Sequence, residues 1–124
     1  GRGMDVYQDA FTQAANSPQV IEHLGQPLQD GNFPTFSVNF NGGFGDASFG
    51  NTLEGPLGTA TLELEARKTP ATDWQYTLLR VVLEDGTIIN LPRPGSSQAP
   101  SQGPAQGPVQ GPPQTEPQGG EQTK

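Results

Sequence analysis

Residues 55–67, GPLGTATLELEAR, contain the clearest strand pattern in the sequence. The segment begins with a turn formed by Gly55, Pro56 and Gly58, because glycine and proline favour turn conformations. Apolar and polar residues then alternate strictly: Ala60, Leu62, Leu64 and Ala66 against Thr61, Glu63, Glu65 and Arg67. A period of two is that of a strand with one buried and one solvated face. The segment therefore predicts a turn followed by a half-buried β-strand.

The same period recurs on the N-terminal side of this strand. Phe36, Val38 and Phe40 alternate with polar residues, which predicts a half-buried strand ending at the turn 41–43. Ala47 and Phe49 mark a second strand, weaker because glycines flank it.

Two further strands are predicted on the C-terminal side. Residues 74–83 are rich in aromatic and β-branched side chains. Asp85 and Gly86 predict a hairpin whose return strand covers residues 87–91. Alternation places one set of side chains on a common face of the 74–83 strand: Trp74, Tyr76, Leu78, Arg80 and Val82. About five mostly antiparallel strands are expected in all.

Two helices are predicted before the strands. Residues 5–16 carry apolar side chains at helical spacing. Ser17 is a good N-cap and Pro18 suits the first position of a second helix. Gly25 is expected to end that helix in a left-handed conformation, and Pro27 prevents its continuation. Helices that precede a run of strands predict an α+β domain, with the helices packed on one sheet face.

The two ends of the chain differ from this domain in composition. Residues 95–124 consist mainly of Gln, Pro and Gly, which predicts a disordered tail. An inert solubilising tail is favoured over a spacer or a ligand for a proline-binding domain. Residues 1–4 are interpreted as a cloning scar or linker, which leaves residues 5–94 as a single domain.

Charge and composition exclude several classes of function. The 124 residues carry 6 basic and 13 acidic side chains, a net charge of −7. Nucleic acid and anionic lipid surfaces are therefore unfavourable partners. The chain has no cysteine, which removes disulfides and thiolate metal sites. No apolar stretch approaches the roughly 20 residues that a membrane span needs, and no signal peptide is recognisable.

The sequence predicts no catalytic residue, metal site or cofactor. His23 is the only histidine, and a helix-end role is favoured over a ligand role. The glycines of residues 42–45 could suggest a phosphate loop, but the following residues predict a strand rather than a helix. Glu63 and Glu65 are expected on the solvated face, without the cleft that acid–base catalysis requires. An enzyme is therefore not expected.

Several motifs occur together in an order that resembles the cytochrome oxidase complex assembly protein 1 (Coa1) family. They are Tyr7 with Ala10 and Ala14, then residues 16–20, 24–28, 41–47 and 53–58, Ala60, and the single Trp74 before an apolar strand. The resemblance covers residues 7–91. It implies a Tim21-like α+β fold, and a non-catalytic protein that assists the assembly of cytochrome oxidase by engaging its large subunit or other assembly factors.

The resemblance also implies a location and a class of partner. Family members are typically tethered by one N-terminal membrane helix, with this domain on the far side of the membrane. The chain then corresponds to a soluble, extracytoplasmic domain whose anchor is absent, and the Gln/Pro/Gly tail suggests a bacterial member. The expected partner is a membrane protein or a respiratory-complex assembly factor, reached through the sheet.

Four residues are candidates for contact with a partner: Trp74, Tyr76, Gly43 and Gly45. Tryptophan is enriched at interface hot spots, although a core position for Trp74 is the favoured alternative. The small residues at 43 and 45 suit either close backbone packing or a closely approaching partner. A second hypothesis is a carrier of lipid or haem, with a pocket between helices and sheet lined by Phe11, Phe36 and Phe40.

Overall fold

A computed structural model describes residues 5–32 and 34–94. The elements in chain order are α1 (Val6–Ala15), α2 (Pro18–Leu24), β1 (Gln29–Asp30), β2 (Thr35–Asn41), β3 (Phe44–Gly55), β4 (Gly58–Lys68), β5 (Gln75–Leu83) and β6 (Ile88–Asn90). The predicted α+β class is confirmed, with six strands instead of about five. The additional strand is β1, which is too short to produce a periodic pattern. The predicted linker 1–4 and tail 95–124 lie outside the described residues.

Side chains at the helix ends satisfy main-chain groups that the helices leave unpaired. Asp5 caps α1 by accepting a hydrogen bond from the Gln8 amide at 3.0 Å. Ser17 caps α2 in the same way, accepting from the Val20 amide at 3.3 Å, and Pro18 is the first helical residue. Gly25 ends α2 with φ +79°, and its amide donates to the Ile21 carbonyl at 2.7 Å.

The six strands form one antiparallel sheet in the order β1-β3-β4-β5-β6. β3 is the longest strand, and both β1 and β2 pair with the same side of it, β1 near its end and β2 near its start. The hairpin turns fall at residues 42–43, 56–57 and 84–87. In the last turn, Gly86 has φ +91° and Asp85 accepts from the Thr87 amide at 2.9 Å.

The core lies between the two helices and one face of the sheet. α1 packs against β4 and β5, while α2 packs against β4. The helices contribute Ala10, Ala14, Val20 and Leu24, and the largest fully buried side chains of the sheet are Leu53, Leu62, Leu64 and Val81. The alternation quoted for the 60–67 segment is confirmed, because its apolar members face the helices and its charged members face away.

A strand forms at the predicted residues 35–40, but the prediction that one of its faces is buried is wrong. Every residue of β2 is exposed, and Phe36 and Phe40 keep 68% and 67% of their surfaces accessible. Phe36, Val38 and Phe40 do point to the helix-covered side, since they pair with Phe49, Ala47 and Gly45 of that face. The helices end before they reach this strand, so its apolar row remains open to solvent.

The predicted face of the 74–83 strand is also wrong. The register shifts between Glu65 and Ala66, which pair with Leu78 and Tyr76, so Thr77 is an extra residue on the β5 side. This bulge reverses the alternation, and Tyr76 joins Leu79, Val81 and Leu83 in the core while Leu78, Arg80 and Val82 lie on the open face. Arg93 donates to the Tyr76 and Thr77 carbonyls at 3.4 Å, which supports the irregular backbone.

A partly buried polar network connects α1 to the β1 edge of the sheet. The Tyr7 hydroxyl donates to Asp30 Oδ1. Asn51, only 6% exposed, donates through Nδ2 to that hydroxyl at 3.2 Å and to the Gly31 carbonyl at 3.5 Å. Its Oδ1 has no partner in the described residues. No pattern in the sequence indicates this network, because Asn51 occupies an inward position between Phe49 and Leu53, where alternation predicts an apolar residue.

The end of α2 lies in direct contact with the β3–β4 turn. The Leu57 amide donates to the Leu24 carbonyl at 2.9 Å. A Cβ added to Gly55 would lie 2.1 Å from that carbonyl oxygen, far inside contact distance. Only glycine therefore allows helix and turn to approach this closely.

Gly55→Ala is expected to lower the free energy of unfolding by about 3 kcal/mol, the upper range of overpacking costs, because the methyl group forces α2 away from the turn. Chemical denaturation measures this loss. Gly58→Ala is the matched control, since a Cβ there meets no atom closer than Leu24 Cδ2 at 3.9 Å. Its effect is expected within about 0.5 kcal/mol of zero. Equal effects of both substitutions would contradict the packing described here.

Because of its two tyrosines, the protein is expected to have a free energy of unfolding that varies with pH in the alkaline range. Burial, with a smaller contribution from the hydrogen bond to Asp30, raises the pKa of Tyr7 to about 12. Burial also raises the pKa of Tyr76, and the nearby Asp9 and Asp5 carboxylates add to the shift. An unfolded tyrosine ionises near pH 10, so above about pH 10 the unfolded chain releases protons that the folded chain retains.

The free energy of unfolding is therefore expected to fall as the pH rises from about 10 to about 12, and to be insensitive to the tyrosines below that range. Denaturation curves measured across this range, with tyrosinate absorbance as a second signal, give the slope. Tyr7→Phe should reduce the slope because only Tyr76 then contributes. Ionisation of both tyrosines near pH 10 without loss of stability would contradict this expectation.

Candidate functional site

Trp74, Gly43 and Gly45 lie together at one corner of the sheet. Trp74 immediately precedes β5 and is half-buried, and its ring meets Phe40 edge-on with a centroid distance of 5.9 Å. A Cβ on Gly45 would lie 2.9 Å from Trp74 Cη2 and 3.1 Å from Phe40 Cε1. Both rings therefore pack directly on the main chain of Gly45, where there is no room for a side chain.

Gly43 contributes to this corner through the turn between β2 and β3. It has φ +89°, and a Cβ there would lie 3.0 Å from Pro70 Cγ. Gly42, with φ +63°, is the other turn residue, whereas Gly45 belongs to β3. The turn has the positive φ angles expected of glycines, and a strand follows it, so the geometry of a phosphate loop is absent at this turn.

Tyr76 lies in different surroundings from the other three candidates. Its side chain is 6% exposed, and its hydroxyl donates to the Val6 carbonyl of α1. The bulge at Thr77 is the reason, because it turns Tyr76 toward the helices. Tyr76 therefore packs in the core and contributes no accessible surface at this corner.

The corner belongs to a larger row of apolar side chains, which we call the aromatic patch and define as Phe36, Val38, Phe40 and Trp74. Phe36 stacks on Phe49 with a centroid distance of 5.7 Å, and Phe49 also contacts Tyr7 at 6.2 Å. Phe49 therefore links one end of the patch to the core and Trp74 links the other, while the outer surface of the patch faces solvent. The exposure of Phe36 and Phe40 has no signal in the sequence, because alternation alone predicts a buried face.

The open face of the sheet carries two shallow grooves of about 440 and 210 Å³. Glu63 and Arg80 form an ion pair across the larger groove, with Oε1 and Nε 2.8 Å apart. Asp46 and Arg67 form a similar pair at 2.9 Å beside the smaller one. Glu65 lies on the same face, as predicted for this side of β4. Each arginine therefore neutralises a carboxylate of the groove lining.

His23 and the carboxylates do not gather into a metal site in the part of the chain that the structure describes. His23 lies in the last turn of α2, where its Nδ1 is 2.9 Å from the Gln19 carbonyl oxygen. No helix among residues 5–32 and 34–94 has the length and hydropathy needed to cross a membrane.

The three phenylalanines of the carrier hypothesis have separate surroundings. Phe11 packs on the core from α1, whereas Phe36 and Phe40 are exposed on β2. Both grooves described above lie on the opposite face of the sheet from the helices. Of the three, Phe36 lines the larger groove, and neither Phe11 nor Phe40 lines either of the two grooves.

Gly45→Ala is expected to displace the indole of Trp74 while the domain remains folded, because a methyl group would overlap the ring edge. Trp74 is the single tryptophan, so intrinsic fluorescence reports this site alone. The expected result is a red-shifted emission maximum and easier quenching by acrylamide. Gly50→Ala is the control, since its Cβ would meet only Thr35 Oγ1 closely, at 3.2 Å. An unchanged spectrum in Gly45→Ala would contradict the packing of Trp74 on β3.

Comparison with known proteins identifies the family. No curated protein matches the chain, and no solved structure matches it. Residues 3–93 match the family described as cytochrome oxidase complex assembly protein 1. The match includes both helices, all six strands and the aromatic patch. The chain therefore belongs to the Coa1 family of cytochrome oxidase assembly proteins.

Proposed function

We propose that this chain is a non-catalytic interaction module that binds a component of cytochrome oxidase, or another of its assembly factors, through the aromatic patch. Membership of the Coa1 family indicates a role in the assembly of cytochrome oxidase, since Coa1 proteins are assembly factors. We choose the aromatic patch as the binding surface because its large apolar side chains are exposed. A role in this assembly requires contact with other proteins, and large accessible apolar side chains are the typical means of such contact.

The geometry of the patch supports this choice. Phe36 and Phe40 are about two-thirds exposed, yet each is held in place by a neighbouring ring, Phe49 or Trp74. Side chains already fixed by packing lose little conformational entropy when a partner covers them. Aromatic residues with this degree of preorganisation are typical interface anchors.

Trp74 has a particular place in the proposed contact. It is half-buried, so its ring is partly fixed by Gly45 and Phe40 and partly accessible. Gly45 is buried beneath the two rings and positions them, whereas Gly43 is exposed and leaves the adjacent turn without a side chain where a partner would approach. Tyr76, among the predicted contact residues, supports the site only indirectly by anchoring the start of β5 to α1.

The proposal extends to the setting of the domain. A Tim21-like arrangement, a bacterial origin and an N-terminal membrane anchor with the domain on the extracytoplasmic side follow from the family resemblance and the Gln/Pro/Gly composition of residues 95–124. Such an anchor would hold the patch near the membrane in which the oxidase is assembled. Binding is then helped by a high local concentration of the membrane-embedded partner.

Trp74→Ala is expected to reduce the recovery of oxidase subunits and known assembly factors several-fold when the full-length gene product is purified from its native membranes and analysed by mass spectrometry. Loss of the indole removes an interface anchor, while circular dichroism should remain that of the folded domain. Leu57→Ala is the matched control, because Leu57 is 71% exposed but lies at the β3–β4 turn, outside the patch.

Two results would contradict the proposal in different ways. Undiminished recovery with folded Trp74→Ala would show that the partner binds elsewhere on the domain. Absence of oxidase subunits and assembly factors from the unsubstituted preparation would contradict the assembly role itself. If Trp74→Ala unfolds, Phe40→Ala tests the same surface, since Phe40 is exposed on an edge strand and contributes little to the core.

A further inference from the structure

Among residues 5–32 and 34–94, no strand pairs with the outer edge of β2. Among the described residues it pairs only with β3, and all seven of its residues are exposed. Natural proteins usually protect such edges with charged side chains, prolines or bulges. The strand TFSVNFN has none of these, because its residues are uncharged and the nearest proline, Pro34, precedes it. An unprotected regular edge is suited to pairing with another strand.

The turn determines which main-chain groups this edge presents. Only Gly42 and Gly43 separate Asn41 from Phe44, so these two residues form a pair that exchanges hydrogen bonds. Such pairs alternate along an antiparallel ladder. Consequently Thr35, Ser37, Asn39 and Asn41 direct their amides and carbonyls toward β3. The outward amides and carbonyls belong to Phe36, Val38 and Phe40.

The strand sequence is symmetric in character about Val38. Phenylalanine stands two residues before and two residues after it, small polar residues flank it, and polar residues occupy both ends. If two copies pair antiparallel about a two-fold axis at Val38, Phe36 faces Phe40 of the other copy and Val38 faces itself. Every outward amide and carbonyl of the strand then finds a partner, two hydrogen bonds for each facing pair.

We propose that the chain forms a symmetric homodimer in which the β2 strands of two copies pair antiparallel about Val38, joining the two sheets into one. This inference is independent of the proposed function, because it uses the main-chain edge of β2 and not the side-chain surface of the aromatic patch. The pairing aligns the two apolar rows on the same face, so the patches of both copies become continuous.

The charge distribution permits this contact. The net charge of −7 makes the copies repel one another in general. Residues 31–45, however, contain no charged side chain, and the next acidic residue, Asp46, is paired with Arg67. Pairing through β2 therefore brings no unpaired like charges into contact.

Symmetry also explains why the edge would give a dimer and not a fibre. A two-fold contact uses the same surface of both copies and leaves no second β2 edge for a third. The contact consists of one seven-residue strand and its side chains, which is at the small end of specific interfaces. A dissociation constant in the micromolar range is therefore expected.

Sedimentation velocity of the full chain, from about 1 μM to several hundred μM, measures this association. A shift from monomer to dimer is expected across that range. Val38→Lys should remain monomeric, because it places two like charges at the axis of the pair. Leu57→Lys is the matched control, with the same charge change at an exposed apolar residue remote from β2, and should dimerise like the unsubstituted chain.

Cross-linking tests the register. The chain has no cysteine, so Val38→Cys introduces a single thiol. Facing residues of a hydrogen-bonded pair have Cα atoms about 5.5 Å apart, within reach of a short bis-maleimide cross-linker. With such a reagent Val38→Cys should form a covalent dimer many times faster than Leu57→Cys.

The proposal is overturned if the chain stays monomeric at every concentration, if folded Val38→Lys dimerises as well as Leu57→Lys, or if both cysteine variants cross-link equally slowly. If Val38→Lys unfolds, the cysteine pair decides alone. These measurements use the purified chain without any oxidase component. Their outcome is therefore separate from that of the partner-recovery experiment.

Discussion

The lengths of the two helices limit how much of the sheet can be buried. α1 has 10 residues and α2 has 7, which corresponds to helices of about 15 and 10 Å. β3 has 12 residues, or about 40 Å of strand. The helices therefore cover β4 and parts of its neighbours, and the corner formed by β2 and the start of β3 extends beyond them. The aromatic patch and the free β2 edge both follow from this difference in length.

The covered part of the sheet is fixed by close main-chain contacts as well as by apolar packing. The Leu24 carbonyl lies against Gly55 and accepts from the Leu57 amide, which joins the end of α2 to the β3–β4 turn. At the other end, Tyr76 reaches the Val6 carbonyl of α1. The bulge at Thr77 makes this second contact possible, since it directs Tyr76 inward. Trp74, two residues before Tyr76, lies on the same face of the sheet, where it packs on Gly45 and against Phe40.

The two proposals use different parts of one corner. Side chains of the aromatic patch are proposed to contact the oxidase or its assembly factors, while the main chain of β2 is proposed to contact a second copy. The two contacts are compatible, because strand pairing occupies the edge of a sheet and leaves its faces accessible. A dimer would present two patches as one continuous surface, and binding of a symmetric or repeated partner would gain from both.

Much of the fold follows from the sequence. Strict alternation from Ala60 to Arg67 determined the central strand, and Ser17, Pro18 and Gly25 stand at the ends of α2 where their conformational preferences place them. These signals are local, since they depend on side-chain period and on the dihedral angles of single residues. The order of motifs along the chain determined the family in the same way, without knowledge of the fold.

Burial was decided only by the tertiary structure. The alternation of Phe36, Val38 and Phe40 specifies a common face, but the extent of the helices decides whether that face is covered. The inward position of Tyr76 depends on a bulge whose pairing partner, Glu65, is remote in sequence. The Asn51 network likewise joins residues from α1, β1 and β3. The alternation of residues along a strand determines which side chains share a face. Only the packing of segments that are distant in sequence determines whether that face is buried or exposed.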